Sequence, residues 1–311
     1  MQRLFHRDTV PEELRGGVIA LGNFDGFHRG HQAVVGRAVH HADDDKRPVI
    51  VATFDPHPVR HFQPDAPPFR LTTLDQRQAL FEEAGAQAMM VFEFGPELAG
   101  TAAEDFVEEI LLNRFGVAGV VTGNDFVFGK GRKGDVVMLA EYAKSHGFFT
   151  EIAAPVNEDD AIISSSRIRE AIKAGDCESA AHLLTRPFTI EGVVEHGSKN
   201  GRELGYPTAN IQLGSYIRPK YGIYAVRGRL PDGRMLNGAA NIGIRPSFDP
   251  PVELLEPYFF DFAEDLYGQT IEVELISYIR EEAKFDDLEA LKSQMADDCA
   301  EAERRLTQHI L

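Results

Sequence analysis

Cysteine is scarce in this chain: Cys177 and Cys299 are the only two among 311 residues. Two thiols exclude a disulfide scaffold and leave a structural zinc site short of thiolates. Their ordinary place is as inert, buried or half-buried groups in a cytosolic protein. Long apolar runs are lacking too. None approaches the roughly 18 residues that cross a bilayer, and the longest, 88–92 and 117–121, have the length of buried strands. The first residues, MQRLFHRDTVPEEL, hold neither the apolar h-region nor the cleavage signal of a secretory peptide. Basic residues are in deficit, 32 Lys+Arg against 49 Asp+Glu, for a formal net charge of −17. Such a surface repels nucleic-acid backbone and excludes a general nucleic-acid binder. An anionic small substrate then needs local cations or helix N-termini to override the global field. The expectation is a cytoplasmic protein with small-molecule substrates, no nucleic acid and no membrane; no protein partner is indicated.

What is present is ordinary globular composition, 43% hydrophobic and 26% charged, and a length that favours two domains. Up to residue 185, short apolar runs (18–21, 49–54, 88–94, 117–122, 148–153) alternate with helix-like patterns (30–42, 74–84, 103–115, 136–146, 167–174). That alternation predicts a doubly wound parallel sheet with strands buried on both faces. Ligands of such sheets bind beyond the carboxyl ends of the strands. Residues 55–68 carry five prolines and are predicted to be irregular. The pattern changes near Thr185-Arg186-Pro187. Runs with partial two-residue alternation follow (188–195, 222–229, 235–242, 255–262, 270–280), predicting an antiparallel sheet or small barrel. Leu288, Leu291 and Met295, with Ala300 beyond, predict a final helix over 286–306. The domains are accordingly drawn at 1–185 and 186–311.

Gly22-Asn23-Phe24-Asp25-Gly26-Phe27-His28-Arg29-Gly30-His31 directly follows the first strand and opens the first helix. Two histidines three apart share a face in the opening turn, where unpaired backbone N–H groups and the positive dipole end suit phosphate. Imidazoles there can donate to phosphoryl oxygens as negative charge builds up. This string is similar to that of the nucleotidyltransferases with the His-x-Gly-His signature. Thr53-Phe54-Asp55-Pro56-His57-Pro58 and Ile163-Ser164-Ser165-Ser166-Arg167-Ile168-Arg169 resemble segments of bacterial FAD synthetases. Serine hydroxyls before a helix cap it and can take a phosphate oxygen, and Arg167 and Arg169 add cations. Ser166 stands where that family usually has Thr. Gly123-Asn124-Asp125-Phe126-Val127-Phe128-Gly129 resembles the family's loop after the fourth strand, which assigns Asp125 to the nucleotide. Lys130, Arg132 and Lys133 beyond it are either phosphate-neutralising or simply solvated.

A second string, His196-Gly197-Ser198-Lys199-Asn200-Gly201-Arg202-Glu203-Leu204-Gly205-Tyr206-Pro207-Thr208-Ala209-Asn210, lies in the other half. Its glycines let backbone approach a ligand closely. Pro207 is followed by Thr208 and Asn210, whose side chains point the same way in an extended segment. A hydroxyl and an amide oxygen suit a magnesium ion that keeps phosphate and water ligands. The string closely resembles the riboflavin kinase signature. Gly197, Lys199, Gly201, Arg202, Pro207, Thr208 and Asn210 are the nucleotide-binding positions it implies. Ser198, Asn200 and Ser247 depart from its usual residues. Glu256-Pro257-Tyr258-Phe259-Phe260-Asp261-Phe262 resembles the segment in which that family places its catalytic glutamate five residues before an aspartate, which assigns Glu256. Glu253, the neighbouring acid, has the wrong spacing and the opposite strand parity.

Taken over most of its length, the chain resembles the bifunctional riboflavin kinase/FAD synthetases. The resemblance implies a Rossmann-like nucleotidyltransferase domain, then an antiparallel β-barrel with a C-terminal helix. It implies phosphorylation of riboflavin to FMN by Mg-ATP, then adenylylation of FMN by a second ATP to give FAD and pyrophosphate. Glu256, His28 and His31 would carry the chemistry. Gly22, Asn23, Phe24, Asp25, Gly30, Asp125, Ser164, Ser165, Ser166, Arg167 and Arg169 would hold nucleotide, and Thr208 and Asn210 would hold Mg2+. Two other classes stand beside it: a lone adenylyltransferase with a binding-only barrel, and a non-enzymatic flavin-binding regulator.

Overall fold

Val18–Leu21 (β2), Val49–Phe54 (β3) and Ala88–Phe92 (β4) are buried at every position, which is why they read as unbroken apolar runs. They belong to a computed structural model that describes residues 1–159, 161–196, 206–245, 251–285 and 287–308. The chain divides into two compact units, Met1–Pro67 with Thr72–Ser164, and Pro68–Leu71 with everything from Ser165 on.

In the first unit the elements run β1 (Gln2–Phe5), β2, α1 (Arg29–Asp45), β3, α2 (Pro58–Phe62), α3 (Leu74–Glu83), β4 and α4 (Pro96–Gly100). There follow α5 (Ala103–Asp105, continuing as π-helix over Phe106–Phe115), β5 (Gly119–Gly123), α6 (Val136–His146), β6 (Phe149–Ala153) and a small hairpin, β7 (Asn157–Glu158) and β8 (Ala161–Ile162). The main sheet is ordered β1-β4-β3-β2-β5-β6, with every pair parallel. One face packs on Val34, Val35, Ala38 and Ala42 of α1 and Phe81 of α3. The other packs on Phe106, Val107, Leu111 and Phe115, and on Leu139 and Ala143 of α6. Helices therefore cover both faces, as the alternation predicted.

Three details differ from the sequence expectation. β1 is an additional edge strand, too short and too polar (Gln2, Arg3) to register as an apolar run. β6 is not buried on both faces: the sheet ends there, Ile152 is exposed, and Glu151 is paired with Arg37 and His41 of α1. The proline-rich stretch is not wholly irregular. Pro58 takes the first turn of α2, where no N–H is needed, and His57 Nδ1 caps that turn by accepting from Val59 N–H at 3.2 Å.

The second unit runs α7 (Ser165–Ala174), α8 (Cys177–Leu184), β9 (Phe188–Val193), β10 (Ile211–Gln212), β11 (Gly222–Arg229), β12 (Met235–Arg245), β13 (Val252–Phe259), β14 (Thr270–Arg280) and α9 (Leu288–Gln308). Its sheet, β10-β13-β12-β11-β14-β9, is antiparallel throughout. Past the end of β9, Glu195 N–H donates to the Asn210 carbonyl at 2.8 Å, and Gln212 Nε2 donates to the Glu195 carboxylate at 3.0 and 2.8 Å. These bonds join the two edge strands into a nearly closed barrel. The face that α9 buries continues from half-buried Leu291 and Met295, as their spacing predicted, but Ala300 is not on it. Ala300 and Leu288 are exposed, whereas Asp298, Ala302 and Leu306 are buried. Asp298 hides in that face because Arg280 meets it with two bonds of 2.7 and 2.6 Å, an arrangement hydropathy does not register. Among the described residues no helix is long and apolar enough to cross a membrane.

Candidate active sites

β2 leads to β3 on one side, while β5 lies on its other side, so the strand order reverses between β2 and β5. Loops leaving two such strands open a crevice at the carboxyl edge of the sheet. The loop after β2 is held by a buried polar frame. The Asn23 carbonyl accepts from Thr53 Oγ1 at 2.7 Å and Arg77 Nη1 at 3.3 Å. Asp25 is buried, and its Oδ1 accepts from the Thr72 N–H at 3.0 Å and the Thr72 hydroxyl at 3.3 Å. Thr72 Oγ1 in turn accepts from Gly26 N–H at 2.9 Å. Phe24 adopts φ 49° and buries its ring edge-on to Phe81 and His31, at 5.8 and 5.3 Å. A Cβ on Gly22 would lie 3.0 Å from that ring. Phe24 and Asp25 thus shape the loop from within the unit.

His28 stands just before α1 as its N-cap rather than inside the first turn, and its Nδ1 accepts from His31 N–H at 3.3 Å. The two imidazoles stack, centroids 3.6 Å apart at 18°, with His28 buried and His31 half-buried. Gly30 keeps that corner tight: an added Cβ would lie 3.1 Å from His28 Cε1 and 3.6 Å from the Ile163 carbonyl. The backbone leading into half-buried Ser164 therefore passes the histidine pair. Asp125 is exposed beyond β5, its Oδ1 folded back to within 3.1 Å of where a Gly123 Cβ would stand.

Two groups at this edge escaped the sequence reading. Arg77 is buried, with Nη1 donating to Thr53 Oγ1 at 2.7 Å and Nη2 to Asp55 Oδ1 at 3.4 Å. An arginine in an amphipathic helix is expected outside, so periodicity gave no signal for it. After β3 and β4, the rings of Phe54, His61 and Phe62 surround Phe94 at 6.0, 5.7 and 5.8 Å, and Phe62 is 66% exposed. Phe62 thus presents an open aromatic face at this edge.

In the second unit, Ser165 is half-buried and Ser166 exposed at the start of α7, with Arg167 half-buried. Arg169 Nε donates to the Phe69 carbonyl at 2.8 Å, and its guanidinium lies over the Phe69 ring at 5.2 Å. Gly197, Lys199, Gly201 and Arg202 lie outside the described residues, as do Ser198, Asn200 and Ser247. Pro207 is exposed, Thr208 half-buried and Asn210 buried. Ala209 N–H donates to the Pro257 carbonyl at 2.9 Å, and β10 pairs Ile211 with Leu255. That register sets Asn210 opposite Glu256. On the other side of β13, Asn241 is also opposite Glu256. Directly opposed residues of antiparallel strands share a face, so Asn210, Glu256 and Asn241 form one row, and Thr208 stands two residues before Asn210 in the chain.

Glu256 Oε2 accepts from Arg245 Nη2 and, at 3.5 Å, from Asn241 Nδ2. Burial acts to lower the Arg245 pKa, but the bonds to Glu256 and the charges of Glu256 and Glu282 outweigh it and hold it above its ordinary value. Glu253 lies on the opposite face, bonded to Arg218 Nε at 2.7 Å and to the Tyr221 hydroxyl. Burial raises its pKa, yet those two bonds and the Arg218 charge leave it below the usual carboxylate value. Tyr221 is pushed up to about 12, first by burial and then by Glu253.

A parallel sheet with a histidine loop at its switch point, followed by a barrel with a carboxylate–amide row, defines a two-unit transferase acting on phosphorylated compounds. The family model described as FAD synthetase matches residues 10–167, and the one described as riboflavin kinase matches residues 184–306. The chain is 40% identical over 303 residues to a bifunctional riboflavin kinase/FMN adenylyltransferase of Pseudomonas fluorescens, covering 97% of each. It is 39% identical over 285 residues to that of Haemophilus influenzae, covering 92% of each. A crystal structure titled as a macrolide-efflux protein from Streptococcus pneumoniae superposes with a TM-score of 0.85 at 29% identity, covering 96% of this chain and 97% of that one. The chain belongs to the bifunctional riboflavin kinase/FMN adenylyltransferase family.

Proposed function

We propose that the barrel unit makes FMN and the parallel-sheet unit consumes it, with the division of labour falling at residue 185: adenylylation by 1–185, phosphorylation by 186–311. The enzyme phosphorylates riboflavin with ATP and adenylylates FMN with a second ATP, giving FAD and pyrophosphate. Glu256 takes the proton of the ribityl 5′-hydroxyl as that oxygen attacks the γ-phosphorus. The observation that carries this reading is the register that sets Asn210 opposite Glu256. It favours chemistry in the barrel over a binding-only module. Thr208 and Asn210 offer a hydroxyl and an amide oxygen, ligand atoms that fit Mg2+; held there, the ion would neutralise the nucleotide's phosphates. Gly197, Lys199, Gly201 and Arg202 would complete the nucleotide site.

In the adenylylation site the FMN phosphate is already ionised at neutral pH, so the step asks for positioning and charge stabilisation rather than a strong base. His28, His31 and the N-terminus of α1 would meet the phosphates, with Ser164 beside them, and Asp125 the nucleoside. Ser165, Ser166, Arg167 and Arg169 are the further nucleotide-binding positions that the sequence resemblance implies. Gly22, Asn23, Phe24, Asp25 and Gly30 would give the loop its shape. The exposed face of Phe62 would stack the isoalloxazine ring. A cytoplasmic setting, where ATP is abundant, fits both reactions. The test is to incubate the protein with riboflavin and Mg-ATP and resolve the flavins by chromatography. FMN followed by FAD is expected; FAD only from supplied FMN would leave the barrel inactive.

A further inference from the structure

One face of β12 carries Asn241, Gly243 and Arg245, and β13 places Glu256 on that same face. A second carboxylate enters it. Glu282 Oε1 accepts from Arg245 Nη1 at 3.3 Å and from Asn241 Nδ2 at 3.1 Å. It has room because residue 243 is glycine: a Cβ there would stand 2.3 Å from Glu282 Oε1. One guanidinium is therefore shared by two carboxylates, and both contacts to Glu256 fall on Oε2. The orientation of the Asn241 amide follows from the same bonds, since flipping it would set its oxygen against two acceptors. Its Oδ1 is then buried with no partner among the described residues. An unmet buried acceptor is costly, so its donor is expected to arrive with a ligand.

We propose that Arg245 is a positioning residue of the kinase. It grips Oε2 of Glu256, is anchored from behind by Glu282, and leaves Oε1 to receive the proton of the substrate hydroxyl. This rests on the reading of Glu256 as the base. A glutamate on a strand edge has several rotamers, and a reacting group misplaced by about 1 Å loses on the order of 10²-fold in rate. The opposite role, a latch that sequesters Glu256, fits less well. Arg245 is built into a strand and is itself held by a second carboxylate, which is how a support is made.

The test uses the full chain and measures steady-state kinase kinetics for Arg245→Met, Arg245→Lys and Glu282→Gln, each alone and combined with Glu256→Gln. Arg245→Met should lower kcat by about 10–100-fold and leave the KM for riboflavin within about twofold. Arg245→Lys should recover part of the loss, and Glu282→Gln should give a smaller loss in the same direction. In the Glu256→Gln background, Arg245→Met should change kcat by less than about twofold, because a support has nothing left to aim. FAD formation from supplied FMN and thermal unfolding report that each chain is folded; if Arg245→Met does not fold, Arg245→Lys carries the test. An unchanged or raised kcat in the Arg245 variants overturns the proposal, as does a full additional loss in the Glu256→Gln background. A silent Glu256→Gln overturns the base assignment itself, and the support with it.

Discussion

Asn210 and Glu256 face each other across two barrel strands, kept in register by the pairing of Ile211 with Leu255 and by the backbone bond from Ala209 N–H to the Pro257 carbonyl at 2.9 Å. A slip of one residue would turn the whole row to the other face of the sheet and set Glu253's side of β13 toward Asn210. If Glu256 is the base, as proposed, the kinase depends on strand register as much as on residue identity.

Glu256→Gln keeps the size and removes the base. Kinase turnover should fall by at least about 10²-fold, within the usual range of about 10²–10⁴ for a positioned general base. FAD formation from supplied FMN should persist. Glu253→Gln should leave kinase turnover nearly unchanged but reduce stability, because it weakens the bonds to Arg218 and Tyr221. The folded pKa of Glu253 lies below its ordinary 4.5. Its contribution to stability is therefore fully present above that value and is lost as pH falls through the folded pKa. Chemical denaturation of wild type and Glu253→Gln should differ at neutral pH and converge on acidification below 4.5. A gap that widens with acid would contradict the pairing, and a damaging Glu253→Gln with a silent Glu256→Gln would put the base on the wrong face.

Replacing His28 or His31 with Ala should cut adenylylation by roughly 10²–10³-fold, the range for one lost donor to transition-state charge. Riboflavin phosphorylation should stay close to wild type. The two flavin products, separated by chromatography, report both steps in one assay. Equal loss of both activities in a folded protein would refute two independent sites.

Arg77 ties the loop after β2 to the ends of β3 and α3. Arg77→Met keeps most of the volume but takes one donor from the Asn23 carbonyl, one from the Thr53 hydroxyl and the guanidinium from Asp55. Removing one partner of a buried charged network costs about 3–5 kcal/mol; with Asp55 24% exposed, a loss of about 2–3 is expected. Denaturant unfolding of the first unit should show it, and adenylylation should fall while the kinase persists. Wild-type stability in this variant would mean the buried arginine is dispensable.

α8 belongs with the barrel: Cys177, Ala180, Leu183 and Leu184 are buried, and Glu178 Oε1 accepts from the Ser277 hydroxyl of β14 at 3.0 Å. A fragment beginning at Ser165 should therefore unfold at higher denaturant than one beginning at Thr185. At about 1.5–3 kcal/mol for each fully buried leucine-sized side chain, the difference should be several kcal/mol. Both fragments should make FMN and no FAD while folded. Equal midpoints would show that the helix adds nothing to the barrel.

The features legible in the sequence were those with a period or a string. β2, β3 and β4 announced themselves because both faces are covered, and His28, His31, Thr208, Asn210 and Glu256 stood in recognisable strings. What stayed hidden has a common physical cause: polar groups whose burial depends on a partner distant in sequence. Arg77 needs Thr53 and Asp55, Asp298 needs Arg280, and Arg245 needs Glu256 and Glu282. In α9 the spacing of Leu291 and Met295 marked the buried face but not that Asp298 continues it, because that burial needs Arg280 of β14. Short or edge elements such as β1, β10 and α2 are stabilised by neighbours and carry too few residues to show a pattern.

The barrel's seam gives Asn210 two employments. Its main-chain carbonyl staples the edge strands by accepting from Glu195, while its side chain stands in the row with Glu256. A nucleotide that grips the side chain must also still the staple, so occupancy and opening of the barrel are thermodynamically linked. Amide hydrogen exchange makes the link visible. Breathing of the seam frees the Glu195 N–H, and exchange there should slow when ATP and riboflavin are bound, in proportion to how tightly they hold Asn210.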